Sequence, residues 1–222
     1  MITGSHIGDI TYGSSILTGG AYYKAFVAKL GVDGTWAWMT NAGSGSAHSH
    51  SNDVTIDLDG NIYVTGTFSG TLSAGSVSTS SSGWSDIFVA SLDENGNWLW
   101  ANNAGAGDWY DHGYAVSVDD NGGVYVAGGA SGGATFDSLS LTGHSKNADG
   151  FIAKADDSNG NWLWVKEYGS TANERVSDMV TSNGITYMTG NFRGTTTLGS
   201  DTLISSGSSD IIVASIDSNG DW

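Results

Sequence analysis

The chain has no cysteine and no proline, only 7 lysines and arginines against 23 acids, and no long apolar run. Without cysteine there is no disulfide, no thiolate metal centre and no cysteine nucleophile. The shortage of bases leaves a formal net charge of −16. Such a surface repels phosphate backbones and anionic lipid, which argues against nucleic acid and membrane-surface partners. No segment reaches the roughly 20 apolar residues of a spanning helix, so membrane insertion is not expected. Cations and neutral glycans remain compatible with the charge.

What is plentiful is glycine (34 residues), tryptophan (9) and tyrosine (9), with serine and threonine throughout. That mixture suits short strands joined by tight turns and serves helices poorly. Periodicity then fixes the arrangement. Tyr63-Val64-Thr65-Gly66 returns as Tyr125-Val126-Ala127-Gly128 and as Tyr187-Met188-Thr189-Gly190, the glycines standing 62 residues apart, and Gly4 continues the series backwards. A second string runs Phe26-Val27-Ala28, Phe88-Val89-Ala90, Phe151-Ile152-Ala153 and Ile212-Val213-Ala214. A third pairs Trp36 with Trp38, Trp98 with Trp100 and Trp162 with Trp164, and Trp222 begins it again. A repeat that long, held in phase, denotes a stacked array of supersecondary units.

Turn chemistry divides each unit into two hairpins. Asp59-Gly60, Asn121-Gly122 and Asn183-Gly184 precede or meet the tyrosine string; Asp33-Gly34, Asn95-Gly96, Asn159-Gly160 and Asn219-Gly220 precede the tryptophans. Such pairs between apolar runs predict type I′ turns. In the central repeat the four strands are expected near residues 114–119, 124–129, 150–155 and 161–166. A Ser/Thr/Gly segment between the second and third strands leaves room for a short extra strand. Apolar runs such as Ile87-Phe88-Val89-Ala90 place side chains on both sheet faces, as a sheet sandwiched between neighbours requires. The expected fold class is therefore all-β, with four-stranded antiparallel blades stacked as in a propeller; a β-solenoid is the competing architecture.

The pattern Asp-x-x-Gly-Asn-x-Tyr-Val-Thr-Gly (Asp57 to Gly66) followed by Asp-Ile-Phe-Val-Ala-x-Leu-Asp-x-x-Gly (Asp86 to Gly96) resembles the bacterial β-propeller repeat family. The fourth repeat departs from it, with Thr181 where an acid is expected and Ile185 after the turn. The resemblance implies an extracellular or cell-surface protein and supplies no catalytic motif. Its units are expected at 1–47 (a partial blade holding strands two to four), 48–107, 108–172 and 173–222 (lacking most of strand four). The chain then reads as an arc of about three and a half repeats. Two arcs are expected to meet as a homodimer, approximating a ring of roughly seven or eight blades.

Candidate sites follow from the loops. Counting ten residues back from the first hairpin glycines gives His50, His112 and Glu174, with His48, Asp53, Asp111 and Arg175 nearby. These fall where one blade crosses to the next, so they are expected to ring a tunnel mouth as polar loop residues, as a ligand pocket, or as imidazole and carboxylate metal ligands. Asp57-Leu58-Asp59-Gly60-Asn61 and Asp119-Asp120-Asn121 mimic the opening of a calcium loop, but Phe68 stands where the loop's final Glu would be. They read as turns with incidental calcium, and no cofactor is expected.

The paired tryptophans, two residues apart on one face of strand four, are expected to pack blade against blade. Trp84, Trp109 and Tyr110 do not recur and lie in polar loops. Trp109 and Tyr110, flanked by Asp108, Asp111 and His112, form the best candidate sugar patch, because a ring stacks on a pyranose while polar neighbours take its hydroxyls. Acid pairs such as Asp111 with Glu174 are candidates for the general acid and base of a glycan hydrolase or lyase, with no spacing to fix their separation. The expected role is a non-catalytic recognition or scaffold module for a glycan or a surface protein; a carbohydrate-active enzyme is the alternative.

Overall fold

The computed structural model describes residues 1–43, 47–107, 110–143 and 147–222. Among them every regular element is a strand. The first sheet takes β1 (Ile2–His6), β4 (Lys24–Leu30) and β5 (Trp36–Ala42), with a small hairpin of β2 (Ile10–Tyr12) and β3 (Ser15–Leu17) between β1 and β4. The second has β6 (Ser49–Ile56), β7 (Ile62–Phe68), β10 (Asp86–Leu92) and β11 (Trp98–Ala104), with hairpin β8 (Thr71–Ala74) and β9 (Val77–Ser80). The third has β12 (His112–Val118), β13 (Gly123–Ser131), β16 (Ala148–Asp156) and β17 (Trp162–Tyr168), with hairpin β14 (Thr135–Phe136) and β15 (Leu139–Ser140). The fourth has β18 (Arg175–Ser182), β19 (Ile185–Phe192) and β22 (Asp210–Asp217), with hairpin β20 (Thr195–Leu198) and β21 (Asp201–Ile204).

Strand order within each sheet follows the chain, and all pairings are antiparallel. The segment expected to hold a short extra strand instead folds as a two-stranded hairpin in every unit. The hairpin packs on the outermost strand of the preceding sheet: β8 on β5, β14 on β11, β20 on β17.

Register confirms the repeat. Gly4 lies opposite Phe26, Gly66 opposite Phe88, Gly128 opposite Phe151 and Gly190 opposite Ile212. A side chain at Gly66 would strike the His50 carbonyl and the Phe88 ring, and one at Gly128 would strike the His112 carbonyl, so the string keeps its glycine for space. The core sits between sheets. Val64, Phe88 and Leu92 pack with Val27 and Ala42 of the first sheet, while Val89 and Trp100 pack with Val126 and Phe151 of the third. Covering on both faces is why β7, β10 and β13 are buried at every position.

The fourth sheet is covered on one face only. Tyr187, Ile211 and Val213 are exposed there, whereas their counterparts Tyr63, Tyr125, Val89 and Ile152 are buried. At the opposite end Ile2, Leu30 and Trp36 are exposed, and their counterparts Val64 and Leu92 are buried.

Two local expectations need correction. Among the turns expected to be type I′, all within the described residues, that geometry occurs at Asn183-Gly184 alone, where φ is 52° and 75° and Ser182 pairs Ile185 across a two-residue loop. In the other turns the residue before glycine has negative φ. Asp57, Asp93, Asp119 and Asp217 each open a longer loop whose carboxylate accepts backbone N–H bonds two and four residues on. With Thr181 in the acid's place that acceptor is lost, and the turn tightens to two residues.

The second correction concerns the tryptophans. A bulge in strand four, between the partners of Lys29 and Leu30 and repeated at Ser91/Leu92 and Lys154/Ala155, inserts one residue between each pair. The two indoles therefore leave on opposite faces. Trp98 Nε1 donates backwards to Thr40 Oγ1 at 3.1 Å and Trp162 Nε1 to the Asn103 carbonyl at 3.0 Å. Trp38, Trp100 and Trp164 donate forwards, to the carbonyls of Glu94, Asp157 and Ser218 in the next sheet's turn.

Candidate functional site

The innermost strands β6, β12 and β18 carry the candidate residues, and each is bulged: Asn52, Tyr114 and Ser177 are the extra residues. Ser51 pairs Gly66, Gly113 pairs Gly128, and Val176 pairs Gly190. The equivalent rim position is therefore His50, His112 and Arg175, not Glu174. Counting back from Gly184 overshoots by one residue because the Asn183-Gly184 turn is one residue shorter. Glu174 is the counterpart of Asp111 and Ser49.

Asp111 and Glu174 are interior groups. Asp111 is 0% exposed: Oδ1 accepts from the Ser131 backbone N–H and hydroxyl, and Oδ2 from the Ala106 N–H. Burial raises its pKa above the usual carboxylate value despite these bonds, and Asp86 nearby adds to the rise. Glu174 is 1% exposed, its oxygens accepting from the Ser170 N–H and hydroxyl and from the Arg193 N–H. Both carboxylates tie a crossing loop to the end of strand two, and neither presents an oxygen to solvent.

The imidazoles behave differently. His50 Nδ1 lies 2.9 Å from Ser5 Oγ, and His112 Nδ1 lies 3.0 Å from Thr67 Oγ1, each a bond to the preceding sheet. Burial lowers the pKa of both. Neighbouring His48 adds to the effect at His50, and Arg175 and His50 add to it at His112. Arg175 has no such partner, since the residue at the place of Ser5 and Thr67 is Gly129. Its guanidinium instead lies 5.4 Å over the Tyr114 ring.

Two aromatic groups form around these positions. Tyr23 is 5.0 Å from His50, and His48 stacks on His50 at 6.3 Å and 8°. In the other, Tyr110 and His112 are near-parallel at 6.4 Å and 9°, and His112 and Tyr114 at 5.5 Å and 16°, with Trp84 edge-on to Tyr110 at 5.4 Å. Tyr110 is exposed and is held beside Ser85 by a parallel bridge, the next residue, Asp111, donating its N–H to the Ser85 carbonyl at 3.0 Å. The other half of the expected sugar patch, Trp109 with Asp108, lies outside the described residues.

This second group borders a groove of about 620 Å³ between the third and fourth sheets, lined by Tyr110, His112, Tyr114, Arg175, Asn191 and Arg193 among others. The structure thus brings Tyr110 and His112 together, keeps His50 in the neighbouring group, and gives Asp111 and Glu174 to loop support. Tyr114 and Arg193 were missed by sequence reasoning: Tyr114 reaches the groove through a bulge, and Arg193 through a loop.

Asp53, also near the rim, accepts from the Val116 N–H at 2.9 Å and joins two inner strands. On the turns, both oxygens of Asp57 are occupied by Asp59, Asn61 and Tyr63, and those of Asp119 by Asn121, Gly123 and Tyr125. Among the described residues no group of three or more His, Asp or Glu is disposed to hold a metal ion.

None of the curated proteins matches the chain. Residues 37–67, from strand four of the first sheet through strand two of the second, match a family model described as Beta-propeller repeat. The sheet order and register found there recur along the chain at the same period, a pattern consistent with a β-propeller repeat family.

Proposed function

We propose that the chain is a non-catalytic recognition module that binds a glycan in the groove between its third and fourth sheets, on the outside of a cell. The observation that carries this reading is the near-parallel Tyr110, His112 and Tyr114 series bordering an open groove that also offers Asn173, Asn191 and Ser209. Aromatic faces stack on the apolar face of a pyranose, and carboxamides and hydroxyls take its hydroxyl groups. Asp111 and Glu174, the acids an enzyme would need, are occupied and covered, which favours binding over turnover.

A panel of immobilised and free oligosaccharides tests this. The expected result is binding that falls at least tenfold in Tyr110→Ala and Tyr114→Ala, with the sugar recovered unchanged. New reducing or unsaturated ends, lost in Glu174→Gln, would establish the carbohydrate-active enzyme instead. A surface protein retained through the same residues would replace the glycan.

The same reading assigns the open outer faces to a second copy of the chain. Tyr187, Ile211 and Val213 at one end complement Ile2, Leu30 and Trp36 at the other, each set holding positions that are covered inside the array. Light scattering should give twice the chain mass, and Val213→Asp should return it to one. A single-chain mass at high concentration would discard the assembly.

A further inference from the structure

We infer that the ligand of this groove carries an oxyanion, a carboxylate or sulfate on the sugar, held by Arg175 and Arg193; the inference rests on the glycan reading above. The chain has only two arginines, in a protein of net charge −16, and both line this one groove. Internal comparison shows that neither performs the structural task of its repeat position. Where Arg175 stands, His50 and His112 bond to Ser5 and Thr67. The place of Arg193 is held by Ser131 in the third sheet, whose hydroxyl bonds Asp111. Arg193 keeps only the backbone part of that contact, its N–H donating to Glu174 Oε1 at 3.2 Å.

Both arginines are exposed, and among the described residues neither guanidinium forms an ion pair. Glu174 is the one acid in the lining, and its oxygens are already bonded. Gly129 and Ala148 line the same groove and add almost no bulk beside Arg175. A guanidinium offers a planar fork of donors that matches a carboxylate or sulfate, and two together make a local cationic patch in an acidic surface. Long polyanions such as nucleic acid meet the repulsion of the whole chain, whereas a short acidic sugar reaches the patch alone. Tyr114, beneath the Arg175 guanidinium, holds it over the groove by its ring face.

The test is calorimetric titration of the intact chain at low salt with uronate oligosaccharides, their methyl esters, sulfated galactan oligosaccharides and neutral galactan oligosaccharides. At least one anionic set should bind ten or more times tighter than its neutral counterpart. Arg175→Gln and Arg193→Gln should each remove most of that preference while leaving the melting temperature unchanged. Preference for uronates over sulfated sugars names the carboxylate, and the reverse names the sulfate. Equal affinity for acid and ester that still depends on Tyr110 would overturn the oxyanion and leave the glycan reading standing. Binding of no sugar would overturn both.

Discussion

The indole N–H of Trp100 donates to the carbonyl of Asp157, 57 residues ahead, at 2.7 Å. The ring of Trp100 also lies where a side chain at Gly160 would have to go, since a Cβ there would sit only 2.5 Å from it. The same bond joins Trp38 to Glu94 and Trp164 to Ser218. One aromatic residue per repeat thus locks the outer edge of each sheet to the turn of the next. Trp100→Ala is expected to lower unfolding free energy by about 3–5 kcal/mol and Trp100→Phe by about 1 kcal/mol in urea denaturation. Trp36→Phe, at an exposed position, should change it little.

Turn geometry makes a sharper comparison. Asn183 holds φ 52° in a two-residue loop, whereas Asn121 sits at negative φ in the longer one. Asn183→Ala should therefore cost about 1 kcal/mol, because alanine is strained in the left-handed region. Asn121→Ala should stay within about 0.5 kcal/mol. Equal losses measured by thermal unfolding would contradict the assignment of the two turn types.

Burial pushes Asp119 towards a higher pKa, but bonds from Gly123, Tyr125 and Asn121 and the charge of Lys154, at 3.7 Å, bring it below the usual value. Its contribution to stability is present above the ordinary carboxylate pKa of 3.8 and is lost as pH falls through the depressed folded value. Asp119→Ala should cost about 1–3 kcal/mol at pH 7, since the Tyr125 hydroxyl loses its acceptor. The variant should also show a shallower loss of stability in that acid window.

His50 and His112 act in the same direction, in a higher pH window. Burial depresses both folded pKa values below 6.5, so the unfolded chain takes up protons first on acidification. Stability is therefore expected to fall as pH drops from about 7.5 through 6.5 towards the depressed values. Denaturant midpoints at about pH 7.5 and 5.5 should differ less in a His50→Gln/His112→Gln double variant than in the parent chain. An unchanged difference would place the pH response elsewhere.

The repeat string alone determined the paired hairpins of the main sheets and the inter-sheet core, because a 62-residue period repeats the same apolar and turn residues in phase, but not the added two-stranded hairpin of each unit. Tyr63 and Tyr125, Phe88 and Phe151 were legible as core for that reason. The site was less so. Tyr110 and His112 stand out in the sequence as a loop aromatic and a rim polar residue, but one residue fewer in the Asn183-Gly184 turn shifts the count, which puts Glu174 at the rim and Arg175 beside it. Only tertiary structure decided that bulges send paired tryptophans to opposite faces, that Asp111 and Glu174 turn inwards to satisfy loop N–H groups, and that both arginines meet at one groove. A bulge changes the face of a side chain without changing the composition of the strand, and a loop's course depends on the sheets that hold its ends.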